Sequence, residues 1–212
     1  MCNCIQKSRT PLAPGKGFHY KFDCTDSDGN VKKIELDASN DNIAKQLAEL
    51  ECSEGIKTLS FEETEKIMSS IGIKSLDLSE SETKDKSASL LADNIVLNPT
   101  TWTRIAQYGS GVRGCTIRMS GRWIPGIGHP AWDANGQGGN IFNGANKWCV
   151  LIQIHAGTDV VATIPWTAAQ GGVMSVGNFG FPTAVIAFMN DDKYDDNTNE
   201  AGNPMTASVS LF

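Results

Sequence analysis

Short runs of apolar or alternating residues recur through the C-terminal part of the chain, and clusters of Gly, Asn and Pro separate them. Each run has the length of a strand that is buried on at least one face, and no stretch carries a convincing helical period. The pattern predicts strands over residues 114–123, 148–154, 160–165, 184–189 and 205–212. Strands punctuated in this way are typical of an antiparallel β-sandwich or a jelly roll.

The N-terminal part begins with a predicted loop and continues with a hairpin. Two prolines and two glycines indicate a loop over residues 8–17. Alternating patterns predict strands over residues 18–24 and 31–36, and the sequence Asp28-Gly29-Asn30 between them favours a tight turn.

Two helices are predicted after the hairpin. Ser39 is a suitable N-cap for a helix over residues 41–52. The apolar side chains on one face of this helix are Ile43, Leu47 and Leu50. Ser60 and Glu63 have the spacing of a capping box, which indicates the start of a second, short helix. The N-terminal part is therefore expected to be a small α+β module of ββαα order.

The composition changes sharply near residue 92 and divides the chain. Residues 1–92 contain 12 of the 18 Lys and Arg residues, whereas all five Trp residues lie in residues 93–212. The polar, charged segment 75–89 suits a solvated linker. We therefore expect a module with a docking or assembly role at 1–78, a linker at 79–92 and an all-β sandwich at 93–212.

Net charge and hydropathy argue against nucleic-acid binding and against insertion into a membrane. The formal net charge of -6 argues against nucleic acid as a partner, because phosphate binding needs a basic face. No apolar run is long enough to span a bilayer, and Met1 is not followed by the pattern of a secretory signal. We expect cytoplasmic synthesis without membrane insertion, followed by release, surface display or incorporation into a particle.

The cysteines are concentrated near the N-terminus. Without a secretory signal, reduced thiols are the default expectation for all six. The four in the first 52 residues are Cys2, Cys4, Cys24 and Cys52. A zinc site, buried free thiols and disulfides formed after release are the open alternatives for these four. Cys149 falls in a predicted core strand, which indicates an inert thiol.

The densest polar cluster follows the predicted strand 184–189 and places four carboxylates in residues 191–196. Carboxylates this close repel one another, and a hard divalent cation such as calcium would relieve the repulsion. Asp191 at the strand end, with Asp196 and Asn197 across a short loop, could close on one ion. A solvated acidic hairpin tip is the alternative.

A second polar feature is the irregular loop within residues 121–133, which follows a predicted strand. It contains His129, Trp132 and Asp133. Aromatic faces pack on the C–H face of a sugar, and an imidazole can hydrogen-bond a hydroxyl group. Trp123 is expected in the core and Trp132 at the surface. His155 ends an apolar strand, which favours a structural role.

Residues 93–212 resemble the LecA (PA-IL) family of calcium-dependent, galactose-binding bacterial lectins. The most specific shared residues are Asn190-Asp191 followed by Tyr194-x-Asp196-Asn197, and then His129-Pro130. Further shared positions are Thr116-Ile117, Gly121, residues 150–154, Ile164-Pro165, Gly202 and Ser208-Val209. The order is the same throughout, and residues 1–92 have no counterpart in the family.

The resemblance implies a jelly-roll-like β-sandwich of the galactose-binding-domain type with one calcium ion, on which two adjacent sugar hydroxyls replace water. The calcium ligands that it implies are the side chains of Asp191, Asp196 and Asn197 and the backbone carbonyls of Lys193 and of Ile124 or Pro125. The residues expected to contact sugar are His129, Trp132, Asp133, Asp191 and Asn197. Two family residues are absent, a glutamine shortly after His129-Pro130 and a tyrosine near Pro125.

No nucleophile elbow, P-loop or zinc-protease motif occurs in the sequence, so we expect that the protein is not an enzyme. The expected function is that of a calcium-dependent lectin or adhesin for glycans with terminal galactose-like sugars. One sugar site binds weakly, which favours a homo-oligomer or an array. The alternative is a structural or decoration subunit of a phage tail, a secretion device or an inclusion body, with the sandwich as adhesive domain.

Overall fold

The computed structural model describes residues 2–12, 17–38, 40–55, 57, 59–60, 62–66, 90–109, 112–156, 159–177 and 183–212. These residues form mostly antiparallel β-sheets, with little helix. Among them, no helix has the length and apolar character needed to cross a bilayer.

A three-stranded antiparallel sheet and one helix form the N-terminal module. Its elements are β1 (Asn3–Pro11), β2 (Phe18–Thr25), β3 (Val31–Ala38) and α1 (Asp41–Glu54). The strand order is β1-β2-β3, and α1 packs on all three strands. Burial of Ile43 and Leu47 against the core residues Tyr20, Phe22 and Leu36 explains this packing.

The predicted hairpin of β2 and β3 is confirmed, but the strand that precedes it was not predicted. The predicted loop 8–17 is wrong over residues 8–11, which belong to β1. Pro11 is tolerated there because it ends an edge strand, where its missing N–H removes no essential ladder bond. The order is therefore βββα rather than ββα at the start of the chain.

Helix α1 begins close to the predicted position, with a different cap. Asn40 is the N-cap, and its Oδ1 accepts the Ile43 N–H at 3.1 Å. Ser39 and the side chain of Leu50 lie outside the described part. The capping box is confirmed: Ser60 Oγ accepts the Glu63 N–H at 3.3 Å, and Glu63 Oε2 accepts the Ser60 N–H at 2.8 Å. Helical residues 62–66 follow it.

The cysteines of the module form two disulfides. One joins Cys2 of β1 to Cys52 of α1, and the other joins Cys4 to Cys24 on the neighbouring strand. The expectation of reduced thiols is therefore wrong for these four residues and correct for Cys115 and Cys149, which are free and buried. Burial raises the pKa of the Cys149 thiol to about 12, in agreement with an inert role.

The C-terminal part contains two four-stranded antiparallel sheets. Its strands are β4 (Leu90–Val96), β5 (Thr103–Tyr108), β6 (Gly114–Ser120), β7 (Trp123–Pro125), β8 (Gln137–Phe142), β9 (Ala145–Lys147), β10 (Val150–Ala156), β11 (Asp159–Pro165), β12 (Val173–Gly177), β13 (Thr183–Met189), β14 (Asn197–Asn199) and β15 (Thr206–Leu211). The sheet orders are β11-β10-β13-β5 and β12-β6-β15-β4. Apolar side chains of both sheets belong to one core, as in a β-sandwich.

The predicted strands of this part are confirmed with small shifts of their ends, and the first of them is divided into β6 and β7. Strands β4, β5, β8, β9, β12 and β14 were not predicted. Polar residues or glycines interrupt the apolar pattern of these strands, and β9 and β14 have only three residues each. The predicted linker 79–92 lies outside the described residues up to residue 89, and β4 begins at Leu90.

The segment after α1, which contains Leu59 and Thr64, contacts the outer face of the sheet that contains β10 and β13. Every residue of these two strands is buried. The Leu59 N–H donates to the Thr163 carbonyl at 2.8 Å, and the Thr64 hydroxyl donates to Thr163 Oγ1 at 3.1 Å. The Gln153 amide donates to the same hydroxyl at 3.2 Å, and Gln153 Oε1 lies 2.8 Å from His155 Nε2. Burial lowers the pKa of His155 to about 4, which favours a neutral imidazole, and the structural role of this residue stays a prediction.

We predict that Gly121→Ala destabilises the protein much more than Gly202→Ala. Both glycines have positive φ, +87° and +76°, so both substitutions carry a backbone cost of about 1 kcal/mol. A Cβ at Gly121 would also clash with the Pro204 carbonyl, whereas a Cβ at Gly202 meets nothing within 4 Å. Urea denaturation should show a loss of about 3 kcal/mol or more for the first variant. Equal losses would contradict this interpretation.

Candidate functional site

Three irregular segments meet at one end of the sandwich. They are the loop after β7, the turn before β10 and the acidic loop between β13 and β14. Strand β14 pairs with β7, which places Asn197 opposite Pro125. The Trp123 and Trp132 backbones also exchange hydrogen bonds, at 3.0 Å and 2.9 Å, so the loop after β7 folds back on its own strand.

Asp191 places a buried carboxylate at this end. Its side chain accepts the Trp148 indole N–H at 3.1 Å and the Asp192 backbone N–H at 2.8 Å, and it is hydrogen-bonded to Asn197. Burial, together with the neighbouring Asp192 carboxyl, raises the pKa of Asp191. Within the described residues Asp191 forms no ion pair with a basic side chain. The nearby Lys147 ammonium pairs with Asp192, at 3.0 Å.

Asn197 brings an amide oxygen to the same place. Its side chain is buried, and its Nδ2 donates to the Pro99 carbonyl at 3.2 Å. Its Oδ1 is buried and accepts no hydrogen bond from the described residues. A buried acceptor without a donor costs about 1–3 kcal/mol, so an atom of this kind calls for a partner such as an ordered water or a bound cation.

Asp196 lies against the backbone beside Pro125. Gly126 has a φ of +92°, and a Cβ at this position would lie 2.9 Å from Asp196 Oδ2. Glycine at position 126 therefore leaves the space that the carboxylate occupies. The Lys193 ammonium pairs with Asp196 Oδ2 at 2.9 Å on the exposed side.

The backbone carbonyls predicted as ligands differ in their surroundings. The Ile124 carbonyl accepts the Gly126 N–H at 3.0 Å. Pro125 lies opposite Asn197 in the ladder, so of the two its carbonyl is the better candidate ligand. For Lys193 the structure gives side-chain ion pairs with Asp195 and Asp196, and the role of its carbonyl stays a prediction.

Three of the five predicted sugar-contacting residues, His129, Trp132 and Asp133, lie on the loop after β7. His129 is exposed, and its ring centroid is 4.8 Å from that of Trp148. Trp132 is only half-buried rather than fully exposed, because its ring packs 6.1 Å from that of Trp148. Asp133 Oδ1 accepts the Asn135 N–H at 2.8 Å and so shapes a turn. Trp123 is fully buried, as predicted.

Trp148 is the residue that sequence reasoning missed. It was assigned to a core strand, but the strand begins at Val150, and Trp148 has a φ of +64° that is rare for a bulky side chain. Its indole N–H binds Asp191, its carbonyl accepts the Trp123 indole N–H at 3.0 Å, and its ring contacts His129. Strained residues of this kind concentrate at functional sites.

The polar groups at this end of the sandwich are of the types that bind a hard cation, and an exposed imidazole lies on the neighbouring loop. Two carboxylates, one amide oxygen and nearby backbone carbonyls are the ligand types that calcium prefers. The donor set therefore fits the ion that the resemblance implies.

No protein-family model matches the chain, and comparisons with curated proteins and with solved structures gave no match. Support for a function therefore comes from the geometry and chemistry of the site.

We predict that Asp191→Asn gains stability relative to the wild type as pH rises from about 4 to 7 in the presence of a chelator. The raised pKa of Asp191 means that the fold disfavours the charged form. The protonated Asp191 carboxyl contributes stability to the fold. This contribution is complete below the unfolded-state pKa of about 3.9, and it is lost as pH rises through the folded-state pKa of Asp191. An asparagine has no such loss.

Chemical denaturation of both proteins at several pH values measures this difference, with Asp195→Asn as the control at an exposed acidic residue. If the difference in free energy of unfolding between Asp191→Asn and the wild type stays constant with pH, the raised pKa of Asp191 is contradicted.

Proposed function

We propose that the protein is a calcium-dependent carbohydrate-binding protein. Asp191, Asp196 and Asn197 would supply side-chain oxygens to the ion, and Pro125 a backbone carbonyl. His129 would bond a hydroxyl of the bound sugar. In this function the ion both neutralises the carboxylates and presents open coordination positions to two adjacent hydroxyl groups.

The observation that carries the proposal is the pair formed by Asp191 and Asn197. A buried carboxylate without a cationic partner among the described residues lies beside a buried amide oxygen without a donor there. Each of these is unfavourable alone, and one divalent cation would satisfy both.

The alternative of a solvated acidic tip fits only some of the cluster. Asp192 and Asp195 have side chains that are 58% and 81% exposed, which is ordinary for solvated carboxylates. Asp191 and Asn197 are each 3% exposed, and a merely solvated tip gives no reason to bury them. The burial therefore favours a bound ion over a solvated loop at these two positions.

The sugar-binding part of the proposal is supported by the position of His129. The exposed imidazole lies beside Trp148, and Trp148 binds Asp191, so a ligand on the ion would lie within reach of a hydrogen-bonding ring. The preference for galactose-like sugars is proposed from the resemblance. The homo-oligomer or array, and the assembly role of the module, stay predictions.

We predict that calcium raises the melting temperature of the wild-type protein and that Asp191→Asn and Asp196→Asn lose about half of this effect or more. At a free calcium concentration 100-fold above Kd, the stabilisation should be about 2.7 kcal/mol. Removal of one carboxylate ligand should lower calcium affinity at least about tenfold. Thermal unfolding with calcium, with magnesium and with a chelator measures the effect.

The matched control for this experiment is Asp195→Asn, which changes an exposed carboxylate of the same loop. Its response to calcium should equal that of the wild type. Identical melting curves for the wild type in calcium and in chelator would exclude the proposed ion site.

We predict that galactosides bind only in the presence of calcium and that His129→Ala weakens this binding by up to about tenfold without changing calcium affinity. A neutral hydrogen bond contributes about 1 kcal/mol, which sets the size of the effect. Isothermal titration with galactosides, with a broad glycan array beside it, is the measurement. Calcium binding without any glycan ligand would contradict the lectin function and leave the ion site standing.

A further inference from the structure

Four cysteine side chains converge between the sheet and the helix of the N-terminal module. Cys2 and Cys4 are two positions apart on β1, Cys24 lies directly opposite Cys4 on β2, and Cys52 lies in the last turn of α1. All four are buried. The sulfur atoms of Cys4, Cys24 and Cys52 lie within 4.8 Å of one another. The sulfur of Cys2 is bonded to that of Cys52.

We propose that the reduced module binds one zinc ion through the thiolates of Cys2, Cys4, Cys24 and Cys52. The two disulfides of the structure are then the oxidised state of the same cluster. In the reduction, a dithiol gives two electrons and two protons to each disulfide and is itself oxidised to a disulfide. Zinc then binds the four sulfur atoms as thiolates and releases four protons to solvent.

The spacing of the sulfur atoms suits a tetrahedral ion. Zinc binds thiolate sulfur at about 2.3 Å, so two sulfur atoms on one ion are about 3.8 Å apart. The sulfur atoms of Cys4, Cys24 and Cys52 are already held within 4.8 Å of one another by strand pairing and helix packing. After the S–S bonds open, these three sulfur atoms need only small displacements to reach this spacing, and Cys2 would join them from its position next to Cys52.

The surroundings suit a closed structural site rather than a catalytic one. Four thiolates are soft ligands that select zinc over calcium or magnesium, and they leave no open coordination position. The Lys32 ammonium, which donates to the Cys52 carbonyl at 3.1 Å, provides one positive charge beside a centre that would be anionic. The module would thus be crosslinked by disulfides in oxidising surroundings and by zinc in reducing ones.

The test uses the full chain, reduced with a phosphine under anaerobic conditions, desalted and titrated with cobalt(II) and then zinc. We expect one equivalent of cobalt with the visible absorption of tetrahedral thiolate coordination, displaced by zinc. Cys4→Ser and Cys24→Ser should each weaken binding at least about 100-fold. A Cys115→Ser/Cys149→Ser double variant, which alters the two free buried thiols of the sandwich, should bind like the wild type.

A second measurement needs no variant and so does not depend on the folding of one. Reduced wild-type protein is alkylated with and without zinc, and the labelled cysteines are identified by peptide mass spectrometry. Protection of Cys2, Cys4, Cys24 and Cys52 by zinc is the expected result. Equal labelling of these four residues in both samples, or cobalt that stays octahedral in the reduced wild type, would overturn the proposal.

Discussion

The hydrogen bond from the Trp148 indole to the buried Asp191 carboxylate is the contact on which the candidate site depends. The backbone N–H of Trp148 donates to the Asn190 carbonyl at 2.7 Å, and its own carbonyl accepts the Trp123 indole. These three bonds hold a left-handed residue whose backbone conformation alone costs about 1–3 kcal/mol. Because the same ring contacts His129, the carboxylate side and the imidazole side of the site keep a fixed separation. If the proposed ligand binds here, this preorganisation means that binding orders few further groups.

The second constraint is the double burial of β10 and β13, which ties the two parts of the chain together. A strand that is covered on both faces must satisfy every polar group internally. The buried chain from Thr64 through Thr163 and Gln153 to His155 pairs most of the polar side-chain atoms on the outer face. Among the described residues, His155 Nδ1 has no hydrogen-bond partner. Apolar side chains of the same face, with Leu59 packed against them, form a small core of their own. The segment after α1 therefore contributes both hydrogen bonds and apolar contacts to the sheet.

The features that could be predicted were those that depend on residues close together in the sequence. The capping box at Ser60, the hairpin and the apolar strands follow from short-range patterns that a single segment contains. Features that depend on residues far apart in the sequence could not be predicted. Strand β1 was missed because Pro11 indicated a loop, and the disulfides join residues that only the folded sheet and helix bring together. At the site, the acidic residues stood out because like charges were crowded in the sequence. Trp148 could not be recognised in this way. It begins an apolar run, which is the pattern of a core strand, and the sequence does not show its positive φ.

The segment after α1 covers the outer face of β10 and β13, and this packing limits how gene rearrangements can separate the two parts of the chain. If a gene rearrangement removed the segment that contains Leu59 and Thr64, the apolar side chains of Leu151, Ile186 and Phe188 would lose part of their shield. A freestanding descendant would need polar replacements on those strands to stay dispersed in water. This packing therefore favours inheritance of the two parts as one unit.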